Sequence, residues 1–585
     1  MGDAGDRIHW RDVAWILLAV ALLVASGYGL RDPWPADEPR FASLARDMVA
    51  SGDWLFPRVG GDLYQDKPPV YFWLLALAYA TIGSVRLSFL LPSLLASTGT
   101  LLLVYSMATR LHGRRAGLAA ALLVACSVQF VQTMRGAQID PTLLFFSTLS
   151  LWAFCRHLLL GPDWRACFLG GFAAGLGTIT KGVGFLPLLL VPLYFALRGP
   201  RWGLAETRGA GWRWALAPLG FVLAAGLWLV PMLVAVEQSG DPSLRAYRDE
   251  ILFQQTVQRY AASWHHVKPW YFFLVEVIPP LWLPASALLF WLVPRWRRDF
   301  ASRRGTVWLP LLWVLVVLLF FSASPGKRGI YVLPALPAFA LAAAAHLDEL
   351  LQRRGVGRAS LALAALLVVP GLVLAFGQLV GSARVAALLA GTELQSTGVL
   401  YAYAIAAVLA WMAAARFRPV LAWPAVLACL AVAWGYGVAP QINAQRSASA
   451  FVEGALRKVP AGRELGLVSY KEQFLLALDR PSVNFGHSRW REGPAEGYDA
   501  AAWLAAAPAA RALLVPDSYL APCFGSADKV AYLKTLGADA VINYRETPDL
   551  DAELARLAPE GIHVYFDNVG GAMLDAALNH LVVHR

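Results

Sequence analysis

Charge is what this chain is short of. Only 15% of its 585 residues are Asp, Glu, Lys or Arg, against about 25% in an ordinary soluble domain. A water-soluble fold is thereby excluded for most of the length. Cysteine is scarce too: Cys126, Cys155, Cys167 and Cys429 fall in or beside apolar runs, and Cys523 stands alone near the end. That pattern gives neither a disulfide framework nor metal-ligand spacing. No internal repeat is visible, and no small-residue cleavage site follows the first apolar run. Acidic residues are outnumbered by basic ones, for a formal charge of +11. Nucleic acid is still not the implied partner, because the arginines sit in short loops between apolar runs, where membrane orientation explains them.

What the sequence has instead is 58% hydrophobic residues. Apolar runs long enough for a ~30 Å hydrocarbon core, roughly 20 helical residues each, recur from Val13 to about Gly437. In lipid they must be helices, since unpaired backbone groups are not tolerated there. Arginine clusters recur at every second gap, beginning with Arg7 and Arg11, then Arg110, Arg114 and Arg115, and ending at Arg416 and Arg418. The alternation predicts about 13 spans, with the clusters in the cytoplasm. The run from Val13 to Tyr28 is read as an uncleaved first span. The apolar stretch from Pro68 to Ile82 is too short to cross and is expected to lie in the interface. Arg86, Arg135 and Lys181 fall singly on the side opposite the clusters. Beyond Gln441 the chain turns soluble in character, with strand-like runs at Leu465–Val468 and Ala512–Val515 and a helix near Ala500–Ala507, which predicts a small α/β domain on the outer face.

The polar chemistry collects on that outer face. "PWPADEPRFASLARDM" places Asp37 and Glu38 before an amphipathic helix, where they suit a general base or metal ligand, or else a helix N-terminus that favours acids. "YQDKPPVYFW" sets Asp66 and Lys67 against two prolines; a lysine there fits a lipid phosphate or simply snorkels. Asp140, in "RGAQIDP", lies close to the hydrocarbon and is costly unless it caps a helix or serves a site. "SWHHVKPW" offers His265 and His266, a weak metal signal because adjacent histidines point apart. "SPGKRGIYVLPALPA" adds Lys327, Arg328 and Tyr331. Cations and carboxylates gathered on one face are what a site for a lipid-linked phosphate needs.

The order "DEPR…GDWLFPR…DKPPVYFW", "RGAQIDP", "TKGVGF" and "KRGIYVLPALPA" resembles the GT-C glycosyltransferases of the aminoarabinose (lipid A) transferase and protein O-mannosyltransferase type, over about residues 10 to 345. The resemblance implies an α-helical polytopic membrane protein that transfers a sugar, with inversion, from undecaprenyl phosphate. The acceptor would be lipid A or another envelope glycan or protein. It implies catalytic carboxylates at Asp37 and Asp140, with Glu38 beside them. Lys67, Arg259, Lys327, Tyr331 and Tyr64 would hold the donor phosphate. A divalent metal at Asp66 and His265 is a further implication, put in doubt because Asp66 stands where the family has Glu. The location implied is the bacterial inner membrane, with the site and C-terminus periplasmic. A transporter or flippase of lipid-linked sugars is the alternative.

The expected domains are 1–440 in the membrane, 441–524 as the periplasmic α/β domain, and a tail of different origin at 525–585. In the tail, "LGADAVINY" and "VYFDNVGG" are similar to the nucleotide-binding half of medium-chain NADPH-dependent dehydrogenases. The Gly-rich turn that would cradle the cofactor phosphates is missing. The tail is therefore expected to be a non-functional fusion with no NADPH site.

Overall fold

A computed structural model describes residues 9–197, 202, 204–205, 211–252, 267–392, 394–460, 462–478, 480–486, 489, 495–516, 547, 549–559 and 579. The chain divides into two compact units, Met1–Phe451 and Val452–Arg585. The first is a helical membrane protein. Among its described residues eight helices are long and apolar enough to cross a membrane, or up to ten if the bent pairs Arg114–Ala125 with Val128–Met134 and Phe273–Leu281 with Ser286–Ala301 each count as one. The other three predicted spans are present as shorter helices: Trp10–Leu23, Trp164–Thr178 and the apolar helix Gly182–Ala196. The first has 14 residues, about 21 Å at 1.5 Å per residue, which is short of the hydrocarbon thickness. Its apolar run continues, but Gly27 and Gly29 adopt φ of +79° and +78° and turn the chain, a conformation closed to most other residues.

The centre of the bundle is the alanine-rich helix Leu336–Leu350, whose small side chains let neighbours approach and leave Ala338, Ala340, Ala342 and Ala343 fully buried. Trp282 and Trp313 pack around it, the Trp282 ring 5.6 Å from that of Phe339 on the helix itself. The helix Arg354–Leu379 instead exposes Leu366, Val369, Val373 and Phe376, a continuous apolar face of the kind that meets lipid. A second close approach joins Trp164–Thr178 to Leu216–Ser239. A Cβ at Gly171 would sit 1.8 Å from the Ala217 carbonyl oxygen, and one at Gly220 would sit 2.4 Å from that of Phe168. Only glycine permits this contact, which brings the Phe221 to Leu229 face of the longer helix against the site described below.

Ion pairs sort into two groups. Arg114 with Asp12, Arg295 and Arg353 with Glu349, and Asp299 with His346 and Arg304 all join predicted arginine-rich loops. Arg31 with Glu38, Arg86 with Asp32, and Lys181 with Asp140 join the intervening ones. The contacts thus respect the alternation that the charge pattern predicts.

Between the first two spans, the helix Glu38–Ser51 buries Phe41, Leu44, Ala45 and Met48, the face its sequence pattern predicts. It packs on Val70–Ile82, with the Phe41 ring 5.5 Å from both Tyr71 and Phe72. At 13 residues that second helix is about 20 Å long, too short to span.

Past the last span the helix Ala439–Arg446 ends, Ala448 turns the chain at φ +60° and a separate helix follows at Ser449–Leu456; the compact units divide after Phe451. The second unit holds a three-stranded parallel sheet in the order Ser482–Asn484, Glu464–Leu467, Arg511–Leu514. The helix Ala495–Ala506 lies in the connection between two of these strands, as parallel pairing requires a crossover. The strand Ser482–Asn484 was not predicted; three residues directly after a proline carry too little alternation to be read. Nearly all of the dehydrogenase-like tail lies outside the described residues.

Candidate active site

A cavity of about 460 Å³ in the first unit is lined by Asp37, Arg40, Tyr64, Asp66, Lys67, Asp140, Lys181, Arg328 and Tyr331, together with apolar side chains that include Phe221, Ala225, Trp228, Leu229, Ile251 and Leu252. Three carboxylates and four cations thus share one cavity with apolar side chains, among them four from the helix Leu216–Ser239. Each charged side chain is put there by a local feature of the sequence.

Asp37 is the residue immediately before the helix Glu38–Ser51, yet its side chain makes no capping bond. The capping role that the sequence also allowed is therefore not what holds it, and its carboxylate meets Arg40 at 3.6 Å, one turn along. Tyr64 leaves a short hairpin, Arg58–Val59 paired with Asp62–Leu63, and its N–H donates to the Pro57 carbonyl at 2.8 Å. Burial, and then the nearby Asp66 carboxylate, hold the Tyr64 phenol above its ordinary range, so it stays protonated. Lys67 folds back so that Nζ donates to the Asp66 carbonyl at 2.8 Å, and the two prolines that follow start the interfacial helix.

Asp140 lies in the first turn of Ile139–Leu159, whose N-cap residue is Gln138. Its Oδ1 accepts from Lys181 Nζ at 2.6 Å, with both side chains about 15% exposed. Lys181 comes from "TKGVGF", where a tight reversal sets the Gly184 backbone so close to Gly177 that a Cβ at 184 would overlap it. Its ammonium also lies 5.2 Å from the Tyr331 ring centre, a cation–π distance.

Two predicted site residues are engaged elsewhere. Glu38 does not line the cavity. Its carboxylate accepts from Arg31 at 2.5 and 2.8 Å, from the Trp34 N–H at 2.8 Å and from the Ala137 N–H at 2.9 Å, which ties three segments together. Lys327 is 4% exposed, and Nζ donates to the carbonyls of Ser324 at 2.5 Å and Lys268 at 3.0 Å. Burial lowers its affinity for a proton. Its neighbour Arg328 reaches the cavity instead. Arg259 and His265 lie outside the described residues. Asp66 lines the cavity, and among the described residues no three His, Cys, Asp or Glu side chains gather as a metal cluster.

Sequence reasoning did not assign Arg40 or Lys181 to the site. Lys181 had a signal, a lone cation on the face where the charge pattern places few, whereas Arg40 had none beyond its place in "DEPR".

Residues 66–228 match the family described as dolichyl-phosphate-mannose-protein mannosyltransferase. A Pseudomonas aeruginosa undecaprenyl phosphate-alpha-4-amino-4-deoxy-L-arabinose arabinosyl transferase is 34% identical over 344 residues, 57% of this chain and 59% of that protein. A Pseudomonas savastanoi relative of the same name is 31% identical, over 59% of this chain and 63% of its own length. The chain thus spans less than two thirds of these curated relatives. In structure it superposes on ArnT from Cupriavidus metallidurans bound to undecaprenyl phosphate with a TM-score of 0.64 at 21% identity, over 81% of this chain and 86% of that one. The fold is that of ArnT. The apo form of ArnT matches more of the chain, 90%, with a TM-score of 0.61. Separately, residues 523–583 match the family described as zinc-binding dehydrogenase, in keeping with the composition of the tail.

Proposed function

We propose that this protein is a membrane glycosyltransferase that moves a sugar from an undecaprenyl-phosphate carrier to lipid A or another cell-envelope acceptor. The observation that carries the reading is that one cavity gathers seven charged side chains together with many apolar ones. A polyprenyl-phosphate sugar has both a charged and an apolar part, and a site must match both to hold it. Lys67 and Arg328 supply positive charge for the carrier phosphate, with Tyr64 and Tyr331 beside them as hydroxyl donors. Such charge-assisted bonds strengthen as the phosphate becomes the leaving group. Trp228, Leu229, Ile251 and Leu252 take the first isoprene units.

In this reading an acceptor oxygen attacks the anomeric carbon opposite the phosphate. The carbon–oxygen bond to the phosphate breaks with its electron pair leaving on the carrier, and the configuration inverts. A phosphate acceptor is already an anion and needs no base, and Asp37 then positions the donor sugar's amino or hydroxyl groups; a hydroxyl acceptor would in addition give its proton to Asp37 or Asp140. Lys181 holds the Asp140 carboxylate in place. Asp66 would be the cavity carboxylate available to a divalent metal.

The finer topology belongs to the same proposal: thirteen spans in the bacterial inner membrane, with the cavity and the α/β C-terminal domain in the periplasm. The tail is read as a fusion without reductase activity. The flippase alternative finds no support in the relatives, which are named as transferases. The test is transfer of labelled sugar from a synthetic undecaprenyl-phosphate donor by purified protein. Product that depends on the cavity residues supports the reading, and binding of donor without transfer sinks it.

A further inference from the structure

A second cavity, of about 560 Å³, is lined by Tyr28, Arg31, Trp34, Arg135, Trp423 and Trp434 among other residues, mostly apolar. Gly136 belongs to this lining, while Gln138, Ile139 and Asp140 line the first cavity, so one short segment separates the two. Its base forms where the end of the first span meets the last: a Cβ at Gly27 would sit 2.2 Å from the Gly435 carbonyl oxygen, and Ser26 Oγ donates to the Ala431 carbonyl at 2.9 Å.

The charges around it do not balance. Arg31 is taken by Glu38 in a two-pronged pair, and Asp32 by Arg86 at 2.7 Å. Arg135 donates to the Leu23 carbonyl at 2.9 Å, Ser26 Oγ at 2.7 Å and the Ser26 carbonyl at 2.9 Å, all of them neutral. Among the described residues no carboxylate lies within ion-pair distance of it. A guanidinium in a largely apolar recess without a counter-ion is costly, and a bound anion removes the cost. The aromatic walls have little use for more polar partners: the Trp34 indole N–H is held by Asn443 at 3.0 Å and that of Trp423 by the Cys126 carbonyl at 2.9 Å. The Trp34 ring carries the Arg31 guanidinium at 4.7 Å, and Trp423, Leu427 and Leu430 add apolar lining.

We propose that this second cavity binds an anionic phospholipid, its phosphate against Arg135 and its acyl chains along Trp423, Leu427 and Leu430. The assignment does not depend on the catalytic reading, since it shares no lining residue with the first cavity. The shared chemistry is a phosphate, from a lipid head group or from solution, and the apolar walls favour the lipid.

The experiment is native mass spectrometry of the full-length protein in detergent, titrated with dioleoylphosphatidylglycerol, with dioleoylphosphatidylcholine, or with inorganic phosphate. Wild-type protein should hold one phosphatidylglycerol at least ten-fold more tightly than phosphatidylcholine. Arg135→Gln should weaken that adduct at least ten-fold, and Arg135→Lys should weaken it less. Leu430→Trp, which fills the cavity and keeps the arginine, should also remove it; this variant decides the matter if Arg135→Gln does not fold. Arg328→Ala, in the other cavity, should leave the adduct unchanged. Equal binding of the two lipids, an adduct insensitive to Arg135→Gln or Leu430→Trp, or binding of inorganic phosphate without lipid would each overturn the proposal.

Discussion

Lys181 and Asp140 lie 41 positions apart and form a 2.6 Å ion pair at the edge of the cavity. Neither is a surface residue, and each is the other's ion-pair partner there. Lys181→Met should leave the Asp140 carboxylate without a cation and cost roughly 1 to 3 kcal/mol of stability, the range for an orphaned buried group. Transfer should fall further than the lost stability explains, because Asp140 is also freed to move. Lys181→Arg should recover part of both. Melting temperature and turnover measured on the same preparations check this, and normal turnover in Lys181→Met would remove Lys181 from the site.

Lys327 and Arg328 are neighbours with opposite tasks. Arg328→Ala should raise the KM for the donor by roughly 10- to 150-fold, the equivalent of one charged hydrogen bond, with little change in melting temperature. Lys327→Ala should do the reverse, since it releases the carbonyls of Ser324 and Lys268 and touches no substrate. Donor titrations and thermal melts of the two variants separate the roles.

Glu38→Gln keeps the shape of the residue but removes the charge that pairs with Arg31. The expected outcome is a lower melting temperature, with turnover per folded molecule within a few-fold of the wild type. A loss of turnover in stable Glu38→Gln protein would return Glu38 to the list of catalytic groups.

Ending the chain after Phe524 removes the dehydrogenase-like tail. Transfer should be no worse than in the full chain. Tight NADPH binding by the full-length protein, measured by fluorescence of the reduced cofactor, would contradict the reading of the tail.

What the sequence made legible, and what it did not, follows from the range of the interactions involved. Phe41, Leu44, Ala45 and Met48 announced their helix because helical periodicity is local, and the interfacial helix Val70–Ile82 was legible from length alone. The first span was read past its true end because hydropathy does not register that Gly27 and Gly29 reverse the chain. Asp37, Lys67, Asp140 and Tyr331 were picked out by motif, and all four line one cavity. The Lys181–Asp140 pair could not be read, since it depends on how two helices pack across the site. Nor could the exchange of Lys327 for Arg328: adjacent side chains at the start of a 3-10 turn point to different sides, and the residue types alone do not say which one points inward.

The central claim is that the carboxylate of Asp37 acts on the sugar donor. The most direct measurement is transfer of labelled sugar by Asp37→Asn protein whose melting temperature matches the wild type. At 38% side-chain exposure and without a capping bond, Asp37 contributes little to folding, so the variant should be stable. The account predicts that transfer falls to background while donor still binds. Near-normal turnover in stable Asp37→Asn protein would contradict it.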